Sequence, residues 1–309
     1  MFFNFPTLGL SDSRVGEVTL SHCEPQCYLT NDKYRLNSSD AVVVHMYGLD
    51  VEKLPHKTSH QKWIFWLMEP PHYGNFRDYD RIAGYFNWTM TYRSDSDVPT
   101  PYGETVRKTD APPEKDLQSL WISKSKMAVW MVSNCKSQSR RELFVADLRG
   151  YIDVDVIGHC GNNSCPKDKG SACYEEHERK YFFILAFENS ICKDYVTEKL
   201  FWALQYALVP VVFGGANYRK MAPERSYIDA TSFETPRALA EYLKAVASNF
   251  SVYASYLDWK ARYKVNRLYA NQFCPLCAKL HSAGSKKTSV YWDMRKWYEE
   301  QANCRSWRR

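Results

Sequence analysis

The stretch YFFILAFENSICKDYVTEKLFWALQYALVPVVFGG, residues 181–215, predicts the architecture of this chain. Uninterrupted apolar runs at 181–187 and 209–214 are typical of strands that a parallel sheet buries on both faces. The segment between them, 194–208, has apolar residues at helical spacing, and Asp194 is placed to cap its start. Because a strand, a helix and a second strand follow one another, the stretch predicts a βαβ unit.

Similar apolar runs elsewhere in the chain extend this pattern. A second helical pattern occupies 140–148 and lies between two such runs. The alternation of strands and helices predicts an α/β fold with right-handed crossovers. The further predicted strands are 41–46, 63–68, 88–92, 127–133 and 151–158.

Residues 109–118, TDAPPEKDLQ, interrupt the succession of strands with prolines and charges. A chain of 309 residues is also more typical of two domains than of one. We therefore predict an N-terminal domain over 1–115, a C-terminal domain over 116–285 and a helical tail over 286–309.

The chain is mildly basic, with 41 Lys+Arg against 35 Asp+Glu and a formal net charge of +6. This balance suits an anionic small ligand, and the lack of a Lys/Arg run argues against nucleic acid as a partner. The chain also has 22 Tyr, 15 Phe and 10 Trp, which suit large cores and sites where flat rings pack on sugars.

The ten cysteines permit two interpretations, a zinc site and a disulfide framework. Sequons of the form N-x-S/T favour disulfides, because they are typical of secreted proteins, whose compartment is oxidising. The sequon at Asn87 lies at the start of a predicted strand, so we expect Asn87 to be buried and unmodified. The sequons are at Asn37, Asn87, Asn162 and Asn249.

No stretch reaches the roughly 18 apolar residues of a membrane span. Residues 1–10 lack the basic start of a signal peptide. A protein of a secretory compartment would therefore have its targeting segment or membrane anchor outside this sequence.

Three polar residues of the segment 194–208 lie at helical spacing: Tyr195, Glu198 and Lys199. At i, i+3 and i+4 they share one face of the predicted helix, and Lys199 leans toward its N-terminus, where phosphate is favoured. The alternative is a solvated Glu–Lys pair on a capped helix. The chain has no G-x-G-x-x-G and no P-loop, which argues against dinucleotide oxidoreductases and P-loop enzymes.

Three ordered blocks of sequence resemble the α1,3-fucosyltransferases of glycosyltransferase family 10. The block at 181–230 is similar to the family's FYLSFENS-x-x-x-DYITEK, its VPVV-x-G and its later NY…P…SFI. WMVSNCKSQSRRELFVADLRGYIDVDVIG, residues 130–158, resembles an SN…R…L…VDV-x-G element. FNWTMTYRSDSDVPTPYG, residues 86–103, resembles an FNWT-x-x-YR-x-DSD…PYG block. The C-terminal CPLC, residues 274–277, also fits the family.

This resemblance implies a GT-B fold, with two facing Rossmann-like domains on parallel sheets. It also implies an inverting transfer of L-fucose from GDP-fucose, held by the C-terminal domain, to a GlcNAc residue. Arg140 is an alternative to Arg141 as the diphosphate contact, because the spacing from Asn134 or from Leu148 could select either arginine. The spacing back from Leu148 favours Arg141. The implied donor-binding residues are Arg141, Asn189, Tyr195, Glu198 and Lys199.

An inverting transfer needs one carboxylate to take the proton of the acceptor hydroxyl. On position alone Glu69 could be a solvated loop residue, but the resemblance places the family's base in a similar E-x-P context. The neighbouring Pro70 departs from the Ser or Cys of many members. Past the strand, His72 and Tyr73 are the candidate acceptor-binding residues.

Asp95 and Asp97 form a D-x-D triplet, the pattern that binds Mn²⁺ and a nucleotide diphosphate in the other large glycosyltransferase architecture. The triplet is common, and Lys199 and Arg141 already supply positive charge. We therefore expect structural or donor-side polar roles for both aspartates. No cofactor is expected to be required, with Mn²⁺ at most a stimulator.

The cysteine-rich insertion 159–173, with Cys192, resembles the family branch that acts on the N-glycan core. The expected partners are therefore GDP-fucose and the core GlcNAc of a glycoprotein N-glycan. A Lewis-type or LacdiNAc acceptor is the runner-up, and a non-catalytic glycan-binding descendant is a further alternative. The expected location is the Golgi lumen, with CPLC (Cys274 and Cys277) bridged to Cys23 and Cys27. The remaining cysteines of this region, Cys160, Cys165, Cys173 and Cys192, are expected to pair among themselves.

Overall fold

The computed structural model describes residues 2–4, 18–109, 116–161, 165, 170–267, 272–282 and 289–308. Within these ranges the helices found are too short or too polar to span a bilayer. The strands are β1 (Phe2–Asn4), β2 (Val18–Thr19), β3 (Tyr28–Leu29), β4 (Ala41–His45), β5 (Lys62–Leu67), β6 (Trp88–Thr91), β7 (Val98–Pro99), β8 (Glu104–Arg107), β9 (Lys126–Met131), β10 (Val154–Ile157), β11 (Tyr181–Phe187), β12 (Val209–Phe213), β13 (Ile228–Asp229) and β14 (Tyr263–Asn266). The α-helices are α1 (Leu117–Ser123), α2 (Arg141–Leu148), α3 (Gly170–Lys180), α4 (Glu198–Ala203), α5 (Pro236–Ala247), α6 (Phe250–Ser255) and α7 (Cys274–Ser282).

The chain forms two compact units that differ from the predicted domains. The first unit contains Met1–Pro101 and Leu268–Asn303, and the second contains Tyr102–Arg267 and Cys304–Arg309. The first boundary therefore precedes the predicted position at 115/116, and the predicted tail largely belongs to the first unit. Long-range packing explains the difference, because α7 buries Leu276 in the core of the first unit.

The first unit is built on a parallel sheet with the order β1-β4-β5-β6-β7. Side chains on one face of β5, including Ile64, pack against α7. Side chains on its other face, including Phe65, pack against Met294 and Tyr298. Burial on both faces is the reason that the central strands are almost continuously apolar.

The second unit is built on a parallel sheet with the order β10-β9-β11-β12-β13. Helix α5 covers this sheet with Leu239, Ala240 and Leu243. The helix begins with Pro236, and the Thr235 side chain caps it by accepting from the Ala238 amide at 3.1 Å. From β9 the chain moves first to β10 on one side and then to β11 on the other. The strand order therefore reverses between β9 and β11.

The strands predicted from apolar runs are confirmed, with ends that differ by a few residues. The helix predicted over 194–208 is wrong in extent, since α4 covers only Glu198–Ala203. Asp194 does not cap it, because its backbone is left-handed with φ of 60° and the N-cap position is Thr197. From Leu204 onward, turns replace the remainder of the predicted helix.

The disulfide interpretation of the cysteines is confirmed, with two corrections. Cys274 and Cys277 of α7 are bonded to Cys23 and Cys27, as expected, and Cys165 is bonded to Cys173. The expected local pairing is wrong for the other two cysteines, which have partners outside the insertion. These bonds are Cys135–Cys160 and Cys192–Cys304.

The asparagines of the sequons differ in their exposure to solvent. Asn87 is 3% exposed, and its side chain accepts from the Trp63 amide and donates to the Ser289 carbonyl, so its predicted burial is confirmed. Asn37 and Asn249 are exposed. Asn162 lies outside the described residues.

Candidate active site

The reversal of strand order in the second unit marks the place where a ligand is expected. In open α/β sheets, ligands bind beyond the carboxyl ends of the strands, at the point where the strand order reverses. Here that point lies between the carboxyl ends of β9 and β11. The segments that follow these strands are Val132–Arg140, which leads into α2, and Glu188–Thr197, which leads into α4.

The first residue after β11 is a buried carboxylate, Glu188, with 1% exposure. Its Oε1 accepts from the Thr197 amide at 2.8 Å, and its Oε2 accepts from the Thr197 hydroxyl at 2.9 Å. Oε2 also lies 3.2 Å from the Lys199 Nζ. Glu188 therefore ties the end of β11 to the first turn of α4.

Lys199 is a cation held among oxygen atoms. Its Nζ lies 2.6 Å from the Thr197 hydroxyl and 3.3 Å from Oε1 of Glu198. Burial lowers the pKa of the Lys199 amine, but the carboxylates of Glu188 and Glu198 raise it by more, so the pKa is above its ordinary value. Lys199 is thus protonated at neutral pH, with a quarter of its side chain exposed.

A second cation, Arg141, spans the reversal point from the start of α2. It is 3% exposed, and its guanidinium donates to the carbonyl of Phe187 at the end of β11 and, at 3.5 Å, to that of Asn134. Its charge acts to lower the pKa of Lys199, which places the two cations within electrostatic reach of each other. Arg140 instead has a left-handed backbone with φ of 58° and an exposed side chain. The geometry therefore favours Arg141 over Arg140 as an anion-binding residue.

The predicted common face of Tyr195, Glu198 and Lys199 is corrected by the structure. Tyr195 precedes α4 and is 1% exposed, so it belongs to the core around the loop rather than to a helix face. Glu198 and Lys199 do lie together in the first turn of α4.

Three buried polar atoms near this loop have no hydrogen-bond partner among the described residues: Asn189 Oδ1, Ser190 Oγ and Tyr218 Oη. Buried polar atoms are paired in most proteins, so these three atoms are candidates for contacts to a ligand or to water. Asn189 was predicted from the sequence, whereas Ser190 and Tyr218 were not. The signals that could have found them are their places in the ENS and NY blocks.

A covalent bond that the sequence analysis missed fixes the same loop. Cys192 is bonded to Cys304, and the Arg305 amide donates to the Ile191 carbonyl at 2.9 Å. The Trp307 amide donates to the Ser139 carbonyl at 3.0 Å. The last residues of the chain therefore fasten the loops that follow β9 and β11 to each other.

In the first unit, Glu69 follows the buried strand β5 by two residues and is half-buried. The Tyr298 hydroxyl donates to its backbone carbonyl, which fixes the start of the loop. The Tyr73 amide closes a turn by donating to the Pro70 carbonyl at 2.9 Å. His72 is exposed and lies edge-on to Tyr73, with ring centroids 4.9 Å apart. These candidate acceptor residues thus share one loop with Glu69.

The D-x-D residues of the first unit take part in local networks. The Asp95 carboxylate forms a bidentate ion pair with Arg93, whose Nε and Nη2 donate to its two oxygens at 2.8 and 2.6 Å. The Asp97 carboxylate accepts from the Thr89 amide at 2.9 Å and from the Tyr291 hydroxyl at 2.8 Å. These bonds engage both oxygens of Asp95 and Oδ2 of Asp97 in local contacts, which favours the predicted structural role.

Two family models together cover most of the chain. The model for the C-terminal part of glycosyltransferase family 10 (fucosyltransferase) matches residues 121–297, and the fucosyltransferase N-terminal model matches residues 7–103.

Curated relatives agree with these family models. An α-(1,3)-fucosyltransferase C of Drosophila melanogaster is 39% identical, over 92% of this chain and 72% of its own length. A glycoprotein 3-α-L-fucosyltransferase A of the same species is 34% identical, over 91% of this chain and 56% of its own. A 4-galactosyl-N-acetylglucosaminide 3-α-L-fucosyltransferase of Gorilla gorilla gorilla is 36% identical, over 85% of this chain and 70% of its own.

A crystal structure of an α1,3-fucosyltransferase with GDP-fucose has the same fold, with a TM-score of 0.52 and 16% identity. The match covers 82% of this chain and 80% of that one. It confirms the predicted GT-B fold class, with Rossmann-like units on parallel sheets. The chain therefore belongs to glycosyltransferase family 10, the fucosyltransferases.

Proposed function

We propose that this protein transfers L-fucose from GDP-fucose, in α1,3 linkage, to the core GlcNAc of a glycoprotein N-glycan. The observation that carries the donor part is the pair of cations, Arg141 and Lys199, at the reversal point of the second sheet. A diphosphate needs such charge-assisted donors, and Arg is suited to hold phosphate oxygens with two parallel bonds. Asn189 and Glu198 complete the proposed donor site, together with Tyr195, which would contribute from the buried loop before α4.

The proposed reaction is a single displacement with inversion at the anomeric carbon. The oxygen of the acceptor hydroxyl bonds to C1 of fucose while the bond from C1 to the diphosphate oxygen breaks. Glu69 takes the hydroxyl proton as general base. Arg141 and Lys199 stabilise the charge that develops on the departing GDP. No resident cofactor is proposed, and Mn²⁺ is at most a stimulator.

The choice of the core acceptor is supported by the cysteine-rich insertion and by the name of a glycoprotein fucosyltransferase among the relatives. The relative named for galactosyl-N-acetylglucosaminide supports the competing proposal, a Lewis-type or LacdiNAc acceptor on the antennae. The proposed location is the Golgi lumen, because five disulfides suit an oxidising compartment. His72 and Tyr73 are proposed to line the acceptor site.

The test is an assay with GDP-fucose and three acceptors: an N-glycopeptide without galactose, a Galβ1,4GlcNAc oligosaccharide and a GalNAcβ1,4GlcNAc oligosaccharide. We expect mass spectrometry to place one deoxyhexose on the Asn-linked GlcNAc of the glycopeptide. Fragmentation and linkage analysis should assign it to the 3-position. Transfer to the oligosaccharides alone would overturn the core acceptor and leave the donor site intact. A protein that binds these glycans but transfers nothing would instead be the glycan-binding descendant.

A further inference from the structure

Glu188 has no role in the displacement described above, yet it is a buried carboxylate beside the proposed donor site. A carboxylate loses its hydration on burial, which is costly unless an ion pair and hydrogen bonds replace it. Both are present here, since Thr197 donates twice to Glu188 and Lys199 pairs with it.

The three partners of the Lys199 ammonium are not equivalent. An ammonium has three N–H donors, and these face the Thr197 hydroxyl, Glu188 and Glu198. The Glu188 side chain is 1% exposed, whereas that of Glu198 is 37% exposed. An incoming anion can therefore replace the contact to Glu198, while the buried contacts to Glu188 and Thr197 stay in place.

We propose that Glu188 is a positioning residue, whose buried carboxylate holds Lys199 in the donor site and keeps it protonated there. The proposal rests on the proposed function, because it assumes that Lys199 binds the diphosphate of the donor.

The charges that face Lys199 explain why it needs this support. Burial and the guanidinium of Arg141 act to lower the pKa of the Lys199 amine, and Glu188 and Glu198 act to raise it. Without the charge of Glu188, the partly solvated carboxylate of Glu198 is left to oppose the lowering of the Lys199 pKa by burial and by Arg141. Lys199 would then lose its proton at a lower pH, and diphosphate binding would weaken as the pH rises.

The proposal is tested by measuring GDP affinity by calorimetry between pH 7 and 10 for the wild type and for Glu188→Gln. Ionisation of guanine is common to both proteins and cancels in the ratio of their dissociation constants. We expect that ratio to rise with pH, by up to about tenfold per pH unit above the lowered pKa. Glu188→Asp retains the charge but moves it back by one methylene. It should weaken GDP binding about tenfold, by a factor that does not change with pH.

Glu178→Gln is the matched control, because Glu178 is also a buried carboxylate of the second unit and accepts from the Ala207 amide. The ratio of its GDP dissociation constant to that of the wild type should not change with pH. A ratio for Glu188→Gln that is equally flat, or wild-type affinity in Glu188→Asp at every pH, would overturn the proposal. If Lys199→Ala binds GDP as the wild type does, the proposed donor site itself is wrong. If Lys199→Ala weakens binding while Glu188→Gln gives a flat ratio, only the role of Glu188 is wrong.

Discussion

Each unit of this protein has a glutamate just beyond a central strand of its sheet, and the two glutamates have different surroundings. Glu69 follows β5 in the first unit and is half-buried, with its backbone carbonyl bonded to Tyr298. Glu188 follows β11 in the second unit, is 1% exposed, and is bonded to Thr197 and Lys199. A proton acceptor needs access to its substrate, whereas a counterion needs burial and fixed partners. A glutamate just beyond a strand end can therefore suit either the proposed base or the proposed counterion, depending on its burial.

The largest expected effect comes from the glutamate of the first unit. Glu69→Gln keeps the shape of the side chain but removes the base, so turnover should fall by roughly two to four orders of magnitude. GDP affinity should stay unchanged, because the proposed donor residues lie in the other unit. Steady-state kinetics and calorimetry measure the two quantities.

The matched control for Glu69→Gln is Glu52→Gln, which removes an exposed carboxylate of the same unit that pairs with Arg81. Its turnover should equal that of the wild type. Near-normal turnover in Glu69→Gln would reject Glu69 as the base.

The loop after Glu188 can be loosened without changing a charged residue. The Cys192–Cys304 bond joins residues 112 positions apart, and the Cys165–Cys173 bond joins residues 8 apart. On the chain-entropy model, replacing both cysteines by serine should lower the free energy of unfolding by about 5 kcal/mol for the first pair and about 2.5 kcal/mol for the second. Denaturant unfolding measures both losses.

The same two double variants separate stability from function. Only the loss of Cys192–Cys304 should also weaken GDP binding, because that bond fastens the loop that carries Asn189. Equal GDP affinity in both variants would mean that the other contacts of the loop suffice to order it.

Arg140 and Arg141 of the second unit are adjacent in sequence but differ in their surroundings. Arg141→Lys keeps the charge but loses the planar fork, so GDP affinity should fall about tenfold. Arg140→Lys should have no effect, because the Arg140 side chain is exposed. A loss in Arg140→Lys and none in Arg141→Lys would reverse the assignment.

The smallest expected effect concerns the acidic residues after β6 in the first unit. Saturating EDTA should leave substantial transferase activity, since Arg141 and Lys199 stabilise the negative charge of the leaving group in the proposed reaction. Complete loss of activity that Mn²⁺ restores would assign Asp95 and Asp97 to metal binding. Titration of activity against EDTA, with Mg²⁺ and Mn²⁺ added back, distinguishes these results.

The strands, the fold class and the family could all be predicted from the amino-acid sequence. Apolar runs predict buried strands because a parallel sheet excludes water from both faces, whatever the rest of the chain does. The ordered motifs also placed Glu69, Arg141, Asn189 and Lys199 at strand or helix ends, where the structure has them.

The hydrogen-bond, ionic and disulfide partners at these positions depend on long-range packing. Residues far apart in sequence meet in the Cys192–Cys304 and Cys135–Cys160 bonds, and no local pattern encodes such pairings. Helix α4 begins later than its apolar pattern predicts, because the Glu188 carboxylate and the Cys192–Cys304 bond hold the preceding loop in another conformation. The burial of Glu188 could not be read from the FENS motif, since burial depends on how neighbouring strands and loops close around a side chain.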